Sequence, residues 1–440
     1  SSVFLVANTR DTGGSKNVGS SYEKLRRLSE RHARMQTLMQ YVNRENLEAE
    51  HRAQATGKAA GIDGVTKEEY ETQLNEHIDA LLGRMKTFSY RPQAVRRAYI
   101  PKTNGTVRPL GIPAYEDKLV QGVMAKVLNG IYEPRFLDCS YGFRPNRSCH
   151  DVIREINQTI MIQKVNYMLD ADIKGFFDHV DHGWLVKFLE HDIQDRNFIR
   201  YVVRFLKAGI MEEGNVRDSD RGTPQGGLIS PILANVYLHY VLDLWFEKVV
   251  KQHMSGEAYL YRYADDFVAL FQYEKDAKKF YEVLVKRLGK FKLAIAEDKT
   301  RIIPFGRYKG TKETFDFLGF THINAKTRTG KYTVLHRTSK KKLKAKRESA
   351  KQWIRWNMHR PVIETIRTLS RKLVGHYNYY GVNGNLRGLY KFYNYIRGTL
   401  FKALKRRGQK HKITWETFDK IWEIVPRPRI CKDIWQWTNV

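Results

Sequence analysis

The stretch Tyr259-Leu-Tyr-Arg-Tyr-Ala-Asp-Asp-Phe-Val-Ala-Leu-Phe271 predicts a β-hairpin with a tight turn around Ala264–Asp266. Apolar and aromatic residues fill both arms, as in strands that are largely buried. Asp265 and Asp266 are adjacent at this turn, so they repel each other and destabilise the hairpin unless a cation offsets them. A solvated turn would also accommodate two aspartates, but the flanking apolar strands favour a cation site.

A second apolar stretch, upstream in the chain, ends in another carboxylate. Residues 167–173 predict a strand with Asp170 and Asp172 on one face, because side chains alternate along a strand. The 93 positions from Asp172 to Asp265 leave room for helices and a loop between two neighbouring strands. Mg²⁺ binds one or two carboxylates plus substrate phosphates, and a pair of such ions suits in-line phosphoryl transfer.

Tyr263-Ala-Asp-Asp266 between two strands, with an upstream strand-end aspartate, resembles the palm of reverse transcriptases. The resemblance implies an α+β, right-hand polymerase fold with fingers and palm built from antiparallel sheet and helices, and an α-helical thumb. It implies that Asp172, Asp265 and Asp266 are catalytic and hold two Mg²⁺ ions, with Mn²⁺ as a substitute and the carbonyl of Ile173 as a further ligand. The implied reaction copies an RNA template into cDNA from a DNA or RNA primer and dNTPs.

Two further motifs are expected to border the incoming dNTP. Asp172-Ile-Lys-Gly-Phe-Phe177 resembles the first palm motif of the family, in which Phe177 would exclude a 2′-hydroxyl. A core role for Phe176 or Phe177 stays open. Gly222-Thr-Pro-Gln225-Gly-Gly resembles the loop beside nucleotide and template, where glycines permit close backbone approach and Gln225 hydrogen-bonds without adding charge.

Basic residues complete the expected dNTP site. Ile100-Pro-Lys102 and Arg108-Pro resemble the fingers hairpin, so Lys102 and Arg108 would contact the nucleotide phosphates. Two solvated cations beside a turn are the alternative. Lys299 lies where the family places a lysine beside the nucleotide.

The resemblance also implies contacts with template and primer. Ser140-Tyr-Gly-Phe-Arg-Pro-Asn-Arg147 matches a family block whose arginines would contact the template backbone, and Phe315-Asp-Phe-Leu-Gly-Phe320 resembles the hairpin that grips the primer. The expected nucleic-acid-binding residues are Arg144, Arg147, Gly226, Tyr263, Phe317, Gly319, Lys340, Lys341, Lys344 and Arg347.

The charge of the chain is strongly positive and concentrated near its C-terminus. The formal net charge is +30, and residues 331–440 hold 27 Lys and Arg against 6 Asp and Glu together with six of the eight Trp. Interleaved cations and aromatics favour a nucleic-acid partner over a membrane, although a solvated helical tail would also be basic.

Three cysteines without a Cys-x-x-Cys pair indicate a reducing compartment. No segment reaches membrane-spanning length. The expected location is therefore cytoplasmic, and for a bacterial protein RNA- or nucleoid-associated.

Composition and periodicity divide the chain into four parts. Residues 1–20 are rich in Gly, Ser, Asn and Thr and predict a flexible lead-in. Residues 21–165 are expected to form an N-terminal extension and fingers, residues 166–330 a palm interleaved with fingers elements, and residues 331–440 a basic helical thumb or maturase domain. The last boundary is marked by the change in charge and by a switch to helical spacing.

Several motifs narrow the resemblance to reverse transcriptases encoded by group II introns. They are Gly61-Ile-Asp-Gly64, the Tyr-Gly-Phe-Arg-Pro block, Arg221-Gly-Thr-Pro-Gln-Gly and Leu373-Val-Gly-His376-Tyr-Asn-Tyr-Tyr380. Without paired Cys-x-x-Cys motifs, the chain resembles the bacterial class C-like lineage that lacks an endonuclease, or it is a truncated member of the family. Implied partners are cognate group II intron RNA and target DNA, with roles in splicing and retrohoming by a monomer or homodimer.

Two other functions stay open on the sequence alone. The chain could be an RNA-binding splicing cofactor that does not polymerise, or a domesticated reverse transcriptase in host defence or DNA repair. Complete metal and nucleotide motifs favour polymerisation, because a pure binding protein has no need of three acids facing metals.

Overall fold

A computed structural model describes residues 16–101, 107–212, 215–217, 227–407 and 413–435. Helices and antiparallel sheets are mixed along these ranges, which confirms the expected α+β class. Among the described residues no helix is both long enough and apolar enough to cross a membrane.

The N-terminal part is mostly helical. Polar side chains begin several of its helices: Asn43 accepts from the backbone of Asn46, and Thr66 and Ser148 form capping boxes with acids three residues later. The six helices are α1 (Lys16–Arg31), α2 (Arg44–Ala53), α3 (Lys67–Glu71), α4 (Leu74–Lys86), α5 (Tyr115–Tyr132) and α6 (Cys149–Ile162).

Four short strands form a first sheet beside these helices, in the order β2-β1-β4-β5. They are β1 (Val95–Pro101), β2 (Val107–Ile112), β4 (Ile210–Glu212) and β5 (Asn215–Arg217). The β1–β2 pair is the hairpin expected around Pro101, although its tip at 102–106 lies outside the described residues.

A second, central sheet has the strand order β6-β7-β3-β8, and its neighbours are all antiparallel. Its strands are β3 (Tyr167–Asp172), β6 (Ala258–Tyr263), β7 (Asp266–Phe271) and β8 (Arg301–Pro304). The helices associated with it are α7 (Phe176–His179), α8 (His182–Asp192), α9 (Arg196–Leu206), α10 (Ser230–Leu238) and α11 (Glu274–Lys290). Pro231 lies in the first turn of α10, and the chain continues as π-helical turns at His239–Asp243 and Phe246–Val250.

The central sheet is buried on both faces. Leu169 and Phe267 point into a core shared with α5 and α8–α11, whereas Met168 and Val268 point into a second core. Strands covered on both sides are expected to be continuously apolar, as β7 is. Because both faces of the sheet are packed, the register of β3 and β7 is fixed, and so are the side chains that lie where these strands meet the end of the sheet.

The second core joins the central sheet to the C-terminal part of the chain. It includes α6, a third sheet and the helices α12 (Lys340–Asn357), α13 (Val362–Tyr380), α14 (Leu386–Arg407) and α15 (Trp415–Trp422). The third sheet has the order β11-β10-β9, with β9 (Thr314–Phe317), β10 (Phe320–Lys326) and β11 (Tyr332–Thr338). Tyr377 and Tyr380 are buried within this core.

The expected boundary at 330 falls inside the β10–β11 hairpin. All seven residues of β10 pair with β11, and the helical region begins only after Ser339, which caps α12. The change in net charge therefore precedes the change in secondary structure, because β11 belongs to the third sheet.

The third sheet contains two buried histidines that face each other. His322 on β10 lies opposite His336 on β11, with ring centroids 4.5 Å apart. Both are inaccessible to solvent, and among the described residues neither ring has a hydrogen-bond partner. Burial lowers the pKa of His322 well below its ordinary value and that of His336 to about 3.

This pair should make folding sensitive to acid. A histidine whose folded-state pKa is lowered contributes stability above its unfolded pKa and loses it as the pH falls, at about 1.4 kcal/mol per pH unit below about 6.5. In urea unfolding at pH 7.5 and 5.5, the double variant His322→Phe/His336→Leu should lose less stability than the wild type.

Exposed His359→Phe is the matched control and should follow the wild type. An identical loss of stability on acidification in the double variant and the wild type would contradict the assignment of this sensitivity to the buried pair.

Candidate active site

The three acids singled out by the sequence meet at one end of the central sheet. Asp172, the last residue of β3, lies directly opposite Asp266, the first residue of β7. Asp265 directly precedes Asp266 in the chain and lies in the two-residue turn between β6 and β7. The hairpin and the strand-end aspartate are thus arranged as the sequence predicts.

The turn itself has an unusual backbone. Ala264 has φ 57°, in the left-handed region that favours glycine. Two-residue hairpins need such a residue at their first or both central positions, and a non-glycine there is strained by about 1–3 kcal/mol. Gly142 packs against the other side: a Cβ there would collide with the backbone nitrogen of Ala264. The loop and the turn therefore fit together only with glycine at 142.

The acids are partly buried, and they repel one another. Burial, followed by repulsion from Asp265, raises the pKa of Asp266 to about 7. Burial also raises the pKa of Asp265, with a further contribution from Asp172. Lys299 Nζ is 3.0 Å from Asp172 Oδ2, and this hydrogen bond raises the pKa of the lysine. Because Lys299 is largely exposed, this ion pair only partly offsets the negative charge.

The donor set fits divalent ions with oxygen ligands. Asp265 and Asp266, whose ionisation is disfavoured, gain from a nearby cation, and Mg²⁺ takes few protein ligands because it keeps waters and substrate phosphates. In the described ranges, no group of three or more His, Cys, Asp or Glu side chains is arranged so that it could hold a metal ion by itself. Lys174 and Ala296 brace the end of β3: Lys174 N donates to Ala294 O, and Ala296 N donates to Asp172 O.

The expected dNTP residues are only partly described. Lys102, Gln225 and Gly226 lie outside the described residues, and Arg108 lies on β2 with its side chain undescribed. Phe176 is buried in the core next to Tyr237, whereas Phe177 is partly exposed. This difference places the core role on Phe176 and leaves Phe177 available at the site.

Two of the expected nucleic-acid contacts face inward. The Arg144 side chain is almost fully buried and donates to Glu133 and to the carbonyls of Leu137 and Ser140. Phe317 is buried in the second core. The predicted contacts of Arg144 with template and of Phe317 with primer are therefore unsupported, because these side chains serve packing and loop bracing.

The other expected contacts are more accessible. Arg147 pairs with the exposed Asp138 at 2.6 Å, a surface ion pair that a phosphate can replace. Tyr263 is half-buried beside Cys149, and Gly319, with φ 82°, accepts a hydrogen bond from Ser339 N. Lys340, Lys341 and Lys344 are exposed on α12, whereas Arg347 lies over the Tyr395 ring and donates to Lys391 O.

Sequence reasoning missed Arg262, the residue before Tyr263. Its side chain is wholly buried and paired with Asp243, so a charge lies directly behind the turn that carries the acids. The available signal was a charged residue inside an apolar strand, since buried charges need partners.

Comparison with known proteins identifies the class. The family model for reverse transcriptase (RNA-dependent DNA polymerase) matches residues 100–322, half of the chain, and this span includes all three acids. The chain belongs to this family, and its α+β architecture agrees with a right-hand polymerase fold.

The similar proteins include several encoded by introns. Group II intron-encoded protein LtrA of Lactococcus lactis subsp. cremoris is 34% identical over 278 residues, which cover 59% of this chain and 46% of LtrA. Protein YkfC of Escherichia coli (strain K12) is 33% identical over 309 residues, covering 62% of this chain and 78% of YkfC. An uncharacterized 91 kDa protein in the cob intron of Schizosaccharomyces pombe is 40% identical over 172 residues, covering 39% and 21%. These matches confirm the resemblance to group II intron reverse transcriptases, although this chain spans less than half of LtrA.

The raised pKa values of the acids should couple metal binding to stability. A carboxylate with a raised folded-state pKa stabilises the fold at low pH, and this contribution is lost as the pH rises through about 7 for Asp266. Mg²⁺ should therefore raise the thermal midpoint at pH 8, by about 1–3 °C, and have a smaller effect at pH 5 where protons already neutralise the site.

The variant Asp265→Asn/Asp266→Asn should melt higher than the wild type at pH 8 without metal and should not respond to Mg²⁺. Asp138→Asn, at an exposed acid, is the control. The same Mg²⁺ response in the double variant would place the ion elsewhere.

Proposed function

We propose that this chain is an RNA-directed DNA polymerase that copies RNA into cDNA by phosphoryl transfer at Asp172, Asp265 and Asp266. The observation that carries the proposal is the pairing of β3 with β7, which brings a strand-end acid opposite an acid of the turn. The family match over residues 100–322 supports the same reaction. Asp172, Asp265 and Asp266 would hold two Mg²⁺ ions, with the Ile173 carbonyl as a further ligand.

The bound ions would activate the primer 3′-hydroxyl and stabilise the charge of the leaving pyrophosphate. The chain contributes the geometry and the remaining charge. Lys299 is proposed to supply positive charge to the triphosphate, and its hydrogen bond to Asp172 supports this role. Lys102, Arg108 and Gln225 are proposed to contact the same nucleotide.

Phe177 is proposed to select the sugar. Its ring stands against Phe143 and Phe176, with centroids 6.5 and 5.4 Å away, so the neighbouring rings restrict its movement. A fixed ring beneath the sugar would leave no room for a 2′-hydroxyl. Phe176, in contrast, is buried, and packing in the core alone explains why a phenylalanine is present at that position.

Replacing Phe177 should relax this selection. Phe177→Ala should raise incorporation of ribonucleotides relative to deoxyribonucleotides by about 10-fold or more, a change of about 1.4 kcal/mol or more in discrimination. Single-nucleotide extension with rNTP and dNTP measures the ratio. Phe177→Tyr keeps the ring and should keep the discrimination; an unchanged ratio in the alanine variant would remove Phe177 from this role.

We also propose that the chain binds group II intron RNA as a maturase, with target DNA as a further partner. Similarity to a group II intron-encoded protein supports this role, as does the net positive charge of residues 331–440. Lys340, Lys341 and Lys344 are exposed on α12 and are proposed to contact phosphates. A splicing cofactor without polymerase activity remains the second candidate, because the basic surface does not depend on the acids.

Two sets of substitutions should separate polymerisation from RNA binding. Asp265→Asn should abolish extension of a primer on an RNA template with Mg²⁺ while RNA affinity stays within about twofold, because the carboxylate holds an ion rather than RNA. Primer-extension gels and fluorescence anisotropy with intron RNA measure the two properties.

The reciprocal variant, Lys340→Gln/Lys341→Gln/Lys344→Gln, should keep the metal site and weaken RNA binding. It should also reduce the slope of log affinity against log salt by about 2–3, since each phosphate contact contributes about 0.7–0.9. Wild-type protein that binds RNA but never extends a primer would favour the splicing cofactor.

A further inference from the structure

Arg262 is a fully buried arginine whose donors are all engaged. It lies on β6, and its side chain has 0% exposure. Nε and Nη2 bind the two carboxylate oxygens of Asp243 at 2.8 and 2.6 Å. Nη2 also donates to Ser140 Oγ at 2.8 Å, and Nη1 donates to Asn235 Oδ1 at 3.0 Å. The remaining N–H, on Nη1, reaches the carbonyl oxygen of Ala264 at 2.7 Å.

The Ala264 contact connects this buried network to the acids. Ala264 is the residue with φ 57°, and its carbonyl carbon is bonded to the nitrogen of Asp265. Asn235 strengthens the connection, because its Nδ2 donates to Gly142 O at 2.8 Å, on the loop that packs against the turn. One guanidinium thus holds the turn directly and, through Asn235, holds the loop beside it.

The backbone of β6 is fixed at the same position. Arg262 N donates to Cys139 O at 2.8 Å, and Tyr141 N donates to Arg262 O at 2.9 Å. Asp243, the acceptor of the ion pair, ends the π-helical turn His239–Asp243, and π-bulges are frequent at functional sites. Three separate segments of the chain therefore contact the guanidinium: the loop at Ser140, the helix that carries Asn235 and Asp243, and the turn at Ala264.

Stability alone gives a weak reason for this arrangement. A buried ion pair is often no better than a well-packed apolar pair, because taking two charges out of water costs several kcal/mol per ion. A planar fork, in contrast, fixes direction as well as distance. Metal ligands must be held within about 0.5 Å of their working geometry, and that requires support from the residues behind them.

We infer that Arg262, held by Asp243 and Asn235, is a positioning residue that keeps the strained Ala264–Asp265 turn in the geometry needed for divalent-ion binding. The inference rests on the proposed function of the three acids. Arg262 touches neither substrate nor ion in this role; it acts through the Ala264 carbonyl.

Arg262→Lys tests the inference, because it keeps the charge and removes the fork. Mn²⁺ binding, followed by electron paramagnetic resonance, should weaken by about 10–100-fold. In primer extension, kcat should fall by a similar factor and the Mg²⁺ concentration for half-maximal activity should rise. The KM for primer–template should stay within about twofold, because the nucleic-acid surfaces are unchanged.

Arg287→Lys is the matched control. Arg287 is partly buried and donates to the carbonyls of Tyr240 and Val241 at 3.0 Å, in the same π-helical turn, but it does not reach the catalytic turn. It should leave Mn²⁺ affinity and kcat within twofold of the wild type. The thermal midpoints of both variants separate a loss of folding from a loss of position.

A second substitution provides a rescue. Ala264→Gly removes the strain at φ 57°, so in an Arg262→Lys background it should recover part of the Mn²⁺ affinity. If Arg262→Lys does not fold, Asn235→Ala replaces it, with weaker Mn²⁺ binding expected.

Mn²⁺ affinity and kcat within twofold of the wild type in a folded Arg262→Lys variant, or in Asn235→Ala where that replaces it, would overturn the inference and leave the proposed function standing. Wild-type protein that fails to extend a primer would instead contradict the proposed function, and the Mn²⁺ measurement would still decide the role of Arg262.

Discussion

The register of β3 against β7 is the constraint on which the site depends. Because side chains alternate along a strand, a slip of one residue would turn Asp172 away from Asp266 and send Met168 and Leu169 to the wrong sides. Such a slip is blocked from both directions, since each face of the sheet is packed into its own core. The position of the acids is therefore a consequence of apolar packing that lies well behind them.

Charged residues on the two sides of the turn differ in how far their charge is compensated. Behind the turn, Arg262 and Asp243 are buried with every guanidinium donor satisfied, so this pair resists rearrangement. In front of it, Asp265 and Asp266 are partly buried without comparable compensation, and the pKa of each is raised. The buried charges behind the turn therefore neutralise each other, whereas the negative charge of the acids remains available to bind a cation.

Local patterns were sufficient to predict the elements that carry the acids. The hairpin, the strand ending at Asp172 and the helices on either side follow from periodicity and turn chemistry, which act over a few residues. The sequence could not decide which of Phe176 and Phe177 is buried in the core, because adjacent helical residues point in different directions and tertiary packing determines which one is covered. It also could not pair Arg262 with Asp243, since nothing in a sequence states which face of a helix meets a strand 19 residues later. Motif resemblance transfers a role without the direction of the side chain, so the contacts expected of Arg144 and Phe317 stay predictions that their burial does not support.

The central sheet also limits how the chain can be dissected. One face of the central sheet packs into the same hydrophobic core as the third sheet, α13 and α14. The C-terminal helices are therefore not an independent domain joined by a linker. A fragment ending before α12 would expose Phe320 of the third sheet, whose ring packs against Tyr379 and Tyr380 of α13, and such an apolar patch promotes aggregation. The proposed polymerase and RNA-binding roles are therefore better tested by point substitution than by excision, because excision would remove part of the core that the central sheet shares with the C-terminal helices.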